Sequence, residues 1–299
     1  MLLRLAHSPD SDDLVMWWPL VGLDGSGALI DTGGFAFELV ARDVEELNKI
    51  AVDPQADLYD ATAISCGAYP RVCDRYAITR CGGSFGEGYG PRVVVREDSP
   101  VRTPMELRGL RVAVPGMNTS AFLTLSILLG ARRGEPAFTP VEMLFSEIPG
   151  AVARGEVDAG LLIHEAQLTF GQLGLREVAN LGQLWLQETA LPLPLGLNVV
   201  RRDLDERFGA GTVARVGSVL SASVRYSVDH PVECREHLQA NKGSRTEWDD
   251  PDLVDRYLAM YVSDLTIDMG ERGVASIAYL FGRGAEAGIC NDPGLIEVV

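Results

Sequence analysis

GEVDAGLLIHEAQLTFG, residues 155–171, decides how the rest of the chain is read. A short apolar run, residues 159–163, delivers His164 and the adjacent Glu165 at its end. A buried strand of an α/β sheet that finishes on a titratable pair has this form, because ligands of open parallel sheets sit just beyond the carboxyl ends of the strands. His164 is therefore the leading candidate for chemistry. The plainer account is a core histidine satisfied by a backbone carbonyl. On an extended backbone Glu165 points to the opposite face, so it is not assigned as the partner that orients the ring.

With 299 residues the chain suits two compact lobes or one large α/β domain. It is 46% hydrophobic and 23% charged, ordinary values for a globular protein. Acids number 42 against 26 Lys plus Arg, a formal charge of −16, so the overall field repels polyanions and nucleic acid is not expected as a partner. An anionic small molecule would need local donors such as a helix start. Five cysteines, odd in number and without a C-x-x-C pair, read as reduced thiols rather than a disulfide framework or zinc site. The opening MLLRLAHSPDSDD has no signal-peptide character and no run is long enough to span a membrane, so a cytoplasmic location is expected.

Residues 2–6 read as a strand, and HSPDSDD, residues 7–13, turns it into a helix beginning near Leu14. That places residues 8–13 at a ligand-facing edge, with capping the simpler role for Asp12 and Asp13. Residues 35–40 alternate as a second strand and residues 44–51 carry helical spacing. A third strand, residues 60–65, ends in the small residues Ala63, Ile64, Ser65, Cys66 and Gly67, which let a ligand approach the backbone. The glycine-rich residues 82–91 do not match G-x-G-x-x-G and precede a strand at 92–96, so they read as a flexible loop and not a dinucleotide site.

A short helix is expected over residues 105–108. A strand at 110–114 then leads through PGMNTS into an apolar helix at 121–129, repeating the opening arrangement, so a second sheet starts here. Thr119, Ser120 and Ala121 lie where exposed amides hold a carboxylate or phosphate, one hydroxyl capping and the other meeting ligand. Strands are expected at 141–146 and 178–181, with a helix at 148–154. The proline-rich residues 191–201 run extended.

The extended stretches 92–96 and 191–201 bracket an insert able to form its own α/β lobe. The expected plan is two lobes joined by a two-strand hinge: residues 1–94 with 200–299, and residues 95–199 inserted. Helices at 213–229, 231–241, 253–262 and 273–284 are expected to pack on the first lobe. His230, Glu233, Cys234 and His237 mimic a metal cluster, but Pro231 puts His230 outside the helix that would align it with His237, so no metal site is assigned.

In order, HSPDSDD, DVEELN (residues 43–48), AISCGAY, VPGMNTSA, LLIHEAQLTF and LPLPLG resemble the menaquinone-biosynthesis family related to periplasmic binding proteins. The likeness runs from about residue 4 to residue 202, and IHE followed at this interval by LPLPLG is its most specific part. The resemblance implies a type II periplasmic-binding-protein fold with a small carboxylated metabolite in the cleft between lobes, and no metal or organic cofactor. The implied activity is carbon–carbon cleavage of cyclic dehypoxanthinyl futalosine to 1,4-dihydroxy-6-naphthoate. It also implies that His164 is the proton acceptor and that Ala63, Ile64, Ser65, Ser120 and Ala121 meet the substrate. Ala63 stands where the family commonly has lysine, and the opening turn is more acidic than the family's. The alternatives are the sister activity of the same pathway, chorismate dehydration, and a solute-binding or sensor protein without catalysis.

Overall fold

A computed structural model describes residues 1–299 apart from 24, 165, 244–248, 251, 253, 256, 257 and 259–261. Eleven strands are found among the described residues: β1 (Leu2–His7), β2 (Ala36–Ala41), β3 (Ala61–Ser65), β4 (Tyr76–Ile78), β5 (Ser84–Gly86), β6 (Arg92–Arg96), β7 (Arg111–Val114), β8 (Thr139–Glu142), β9 (Ala159–Leu162), β10 (Leu175–Asn180) and β11 (Leu193–Arg201). They form two sheets. The first has the order β2-β1-β3-β11-β4 with β5 also on β11, and the second β10-β6-β9-β7-β8.

The apolar runs account for the middle of each sheet. Every residue of β3 is buried between parallel β1 and antiparallel β11. Every residue of β9 is buried between antiparallel β6 and parallel β7. Strands covered on both faces lose the alternation seen in half-exposed ones. β8 ends at Glu142, short of the strand expected to 146, because its parallel register with β7 ends at Val114 and the chain turns away through residues 143–147.

β6 belongs wholly to the second sheet and β11 to the first. The chain therefore leaves the first sheet through residues 87–91 and returns through the helix Leu181–Thr189 and residues 190–192. Boundaries after residues 94 and 199 would fall inside these paired strands. The glycine-rich stretch is not a free loop, since β5 within it pairs with β11. The expected helix at 105–108 is a 3-10 turn, Pro104–Leu107.

Helix Ser120–Leu128 is buried nearly all round, which its uniformly apolar sequence requires. One of its covers is the helix Gly270–Glu286, which also packs on β11 and on the 3-10 helix Cys66–Arg71. There Tyr69 stacks on Phe281 at 6.0 Å, Tyr279 meets Trp185 edge-on at 5.7 Å and Arg283 pairs with Glu188 at 2.5 Å. This helix thus bridges the two sheets instead of resting on the first alone. The helix Thr212–Asp229 does pack on the first, against the helix Ser11–Trp17 and β11. The helix expected at 253–262 lies largely outside the described residues. Among the described residues no helix is long and apolar enough to cross a membrane, and no cysteine is paired.

Candidate active site

Between the sheets lies a cleft with about 760 Å³ of empty space, part of it open to solvent. That is within the range of small-molecule sites. All seven residues singled out in the sequence line it: Ala63, Ile64 and Ser65 at the end of β3, Thr119, Ser120 and Ala121 at a helix start, and His164 beyond β9.

His164 lies two residues past the last residue of β9, in a left-handed turn with φ of 54°. A non-glycine residue held there stores about 1–3 kcal/mol of backbone strain, which surrounding contacts must offset. A carboxylate faces the ring, which the plainer account did not anticipate: Nδ1 is 3.0 Å from Oδ2 of Asp10. The edge of Phe145 meets the ring at 4.8 Å between centroids. Glu165 lies outside the described residues.

The turn after β1 is arranged by its own polar groups. Ser8 Oγ donates to Asp10, Asp10 N donates back to Ser8 Oγ at 3.2 Å, and Ser8 N donates to Asp13 at 2.6 Å. Asp13 is therefore not an exposed helix cap. It is buried, and its carboxyl is pushed well above the usual range by desolvation first and the neighbouring Asp12 second. His7 donates Nδ1 to the Ser8 carbonyl at 2.7 Å, and burial pushes its pKa down.

The two hydroxyls at the helix start are already engaged. Thr119 accepts from Phe122 N at 3.2 Å, as an N-cap, and donates to the Gly116 carbonyl at 2.8 Å. Ser120 accepts from Gly67 N at 2.9 Å and donates to the Leu195 carbonyl at 2.5 Å. Each hydroxyl has spent its one proton. No lysine or arginine lines the cleft among the described residues, whereas Asp10, Asp12 and Asp13 do.

Two side chains that support the cleft escaped the sequence reading, Glu45 and Asn48. Asn48, fully buried, receives Ser65 N at 2.8 Å and donates to Ser65 Oγ at 3.0 Å and to Glu45 Oε2 at 2.8 Å. Glu45 in turn receives Asn118 Nδ2 at 2.8 Å from across the cleft. The loop carrying Asn118 approaches so closely that a Cβ on Gly116 would lie 2.3 Å from the Glu45 carboxyl carbon. The signal was DVEELN itself, with Asp43 capping the helix and Glu45 and Asn48 three apart on one face.

Residues 3–286 match the family described as menaquinone biosynthesis. The chain belongs to that family. Two curated members resemble it over nearly their whole length, both named 1,4-dihydroxy-6-naphthoate synthase. The one from Thermus thermophilus is 36% identical, over 96% of this chain and 95% of that one. The one from Streptomyces coelicolor is 33% identical, over 96% and 94%. A crystal structure from Archaeoglobus fulgidus superposes with a TM-score of 0.81 at 35% identity, covering 96% of this chain and 98% of that one. An alkanesulfonate-binding protein from Xanthomonas axonopodis pv. citri, bound to MOPS, reaches 0.67 at 16% identity over 99% and 96%. A Candida albicans protein described as having the generic periplasmic binding protein fold reaches 0.66 at 10% identity over 97% and 90%. This menaquinone-biosynthesis protein therefore has the type II periplasmic-binding-protein-like fold, two α/β lobes about a central cleft.

Three of the four residues of the metal-like cluster in the family member's tail are otherwise employed. His230 stacks on Tyr226 at 3.8 Å, His237 on Trp18 at 5.9 Å, and Cys234 receives Trp18 Nε1 at 3.4 Å.

Proposed function

We propose that this protein is a 1,4-dihydroxy-6-naphthoate synthase, a lyase that cleaves a carbon–carbon bond of cyclic dehypoxanthinyl futalosine in menaquinone biosynthesis. It acts in the cytoplasm, and it uses neither metal nor organic cofactor. The observation that carries the reading is the placement of His164 in one cleft with the backbone segments 63–65 and 119–121. His164 is the general base: an imidazole with an ordinary pKa of ~6.5 is both largely neutral and still basic at cellular pH. It takes a proton from the substrate, the released electron pair drives the carbon–carbon cleavage, and the proton is returned to the departing carbon.

With no lysine or arginine among the described residues that line the cleft, the substrate carboxylate rests against the backbone N–H groups of Ser120 and Ala121, where the helix start supplies positive potential. Residues 92–180 form one lobe and the flanking segments the other, and both close on the substrate. Both curated relatives carry the synthase name, which supports this activity over chorismate dehydration and over binding without chemistry.

The test is His164→Asn, assayed by mass spectrometry with cyclic dehypoxanthinyl futalosine and, separately, chorismate, in buffer containing EDTA. The parent converts the first substrate and not the second. The variant keeps its circular dichroism spectrum and loses kcat by ~10²-fold or more. Unchanged kcat would return His164 to a packing role, and loss of the parent's activity in EDTA would overturn cofactor independence.

A further inference from the structure

We propose that Asp10 is the positioning residue for the His164 imidazole, an inference that rests on reading His164 as the base. The two side chains come from opposite sides of the cleft, Asp10 from the turn after β1 of the first sheet and His164 from the turn after β9 of the second. They meet at 3.0 Å, with only 10% and 16% of their side-chain surfaces exposed. So short a separation in so dry a place makes the pair a directed hydrogen bond and not a screened surface ion pair.

The carboxylate is itself held in place. Ser8 Oγ donates to the Asp10 oxygen that faces His164, and Ser8 is anchored in turn through its own N–H to Asp13 at 2.6 Å. On the other side, the left-handed backbone of His164 and the edge of Phe145 at 4.8 Å fix the plane of the ring. A carboxylate accepts but does not donate, so it selects the tautomer with the proton on Nδ1. The lone pair of the neutral ring is then on Nε2, the nitrogen that takes the substrate proton. As that proton arrives, the adjacent carboxylate stabilises the imidazolium without itself becoming protonated.

The pair is complete only when the two lobes are together. The base is thus oriented by a residue of the lobe opposite its own, in the arrangement that encloses the cleft.

The experiment uses the full chain with ring-15N-labelled histidine. The protein has four histidines, and the spectrum of His164→Asn identifies the resonances of His164. In alkaline buffer the wild-type protein is expected to show a protonated Nδ1 and an unprotonated Nε2 at this residue. In Asp10→Asn the charge that stabilises the imidazolium is lost, and kcat falls by ~10²-fold or more while KM stays within about threefold. A wild-type ring protonated on Nε2 would overturn the proposal without reference to any variant. Asp10→Asn with parental kcat, beside an inactive His164→Asn, would overturn the positioning role and leave the base in place. An active His164→Asn would remove the base reading, and this inference with it.

Discussion

Asn48→Asp is a near-isosteric change with a large expected effect. Asn48 is fully buried, and its amide nitrogen is 2.8 Å from Glu45 Oε2. The aspartate keeps the bond from Ser65 N but turns that nitrogen into an oxygen, so two acceptors face each other. One carboxyl must then keep a proton. Glu45 is already pushed up by burial, against the pull of its bonds from Asn48 and Asn118, and the substitution replaces one of those bonds with a like charge. Holding a proton on a carboxyl of usual pKa ~4 costs about 1.4 kcal/mol per pH unit above that value, hence about 4 kcal/mol at pH 7 and about 1 kcal/mol at pH 5. The sign follows from a folded-state pKa raised above the unfolded one: stability is kept at low pH and lost as pH rises. Urea unfolding of parent and variant at both pH values measures the difference, with Asn48→Ala as a control whose cost should be flat across this range. A cost for Asn48→Asp that is equal at the two pH values, or under about 1 kcal/mol at pH 7, would refute the pairing of Asn48 with Glu45.

Ser120→Ala strands a buried partner, Gly67 N, and a half-buried one, the Leu195 carbonyl, and is expected to cost about 2–4 kcal/mol in urea unfolding. Thr119→Ala, which loses a helix cap and one further bond, should cost about 1–2 kcal/mol. A smaller loss for Ser120→Ala than for Thr119→Ala would contradict the bridging role. His237 is buried against Trp18, and desolvation, then the nearby His7, lower its pKa. Its contribution is full above the unfolded value of ~6.5 and is lost as pH falls, so His237→Gln should flatten the acid side of the stability profile between pH 7.5 and 5.5. A variant profile parallel to the parent's would count against a buried neutral ring.

The elements legible from sequence were those whose pattern is local. β6 was bounded residue for residue, and β9 and the helix Val44–Val52 within one residue, because an apolar run or a capping aspartate marks each end. β4 and β5 were missed. Each is three residues long and owes its strand character to pairing with β11, over a hundred residues later in the chain. The helix Leu181–Thr189 was hidden because it starts directly where β10 stops, with Asn180 as both strand end and N-cap. In the site, His164 stood out as the end of an apolar run. Asp10 did not, since its neighbours Asp12 and Asp13 offered the same capping explanation and the partner that distinguishes it comes from the other lobe.

The late arrival of β11 also shapes how the chain folds during synthesis. β3, β4 and β5 all pair with it, so the first sheet lacks an internal strand until residue 201 has left the ribosome. Residues 92–180, by contrast, contain all five strands of the second sheet in one continuous stretch. The inserted lobe is therefore the part that can form first on the nascent chain. Meanwhile the edge of β3 that β11 later covers, which carries Ala63, Ile64 and Ser65, stays open. Such long-range pairings slow folding and leave strand edges exposed to aggregation. Expression at lower temperature, or with a chaperone that shields strand edges, should raise the yield of active protein by protecting that interval.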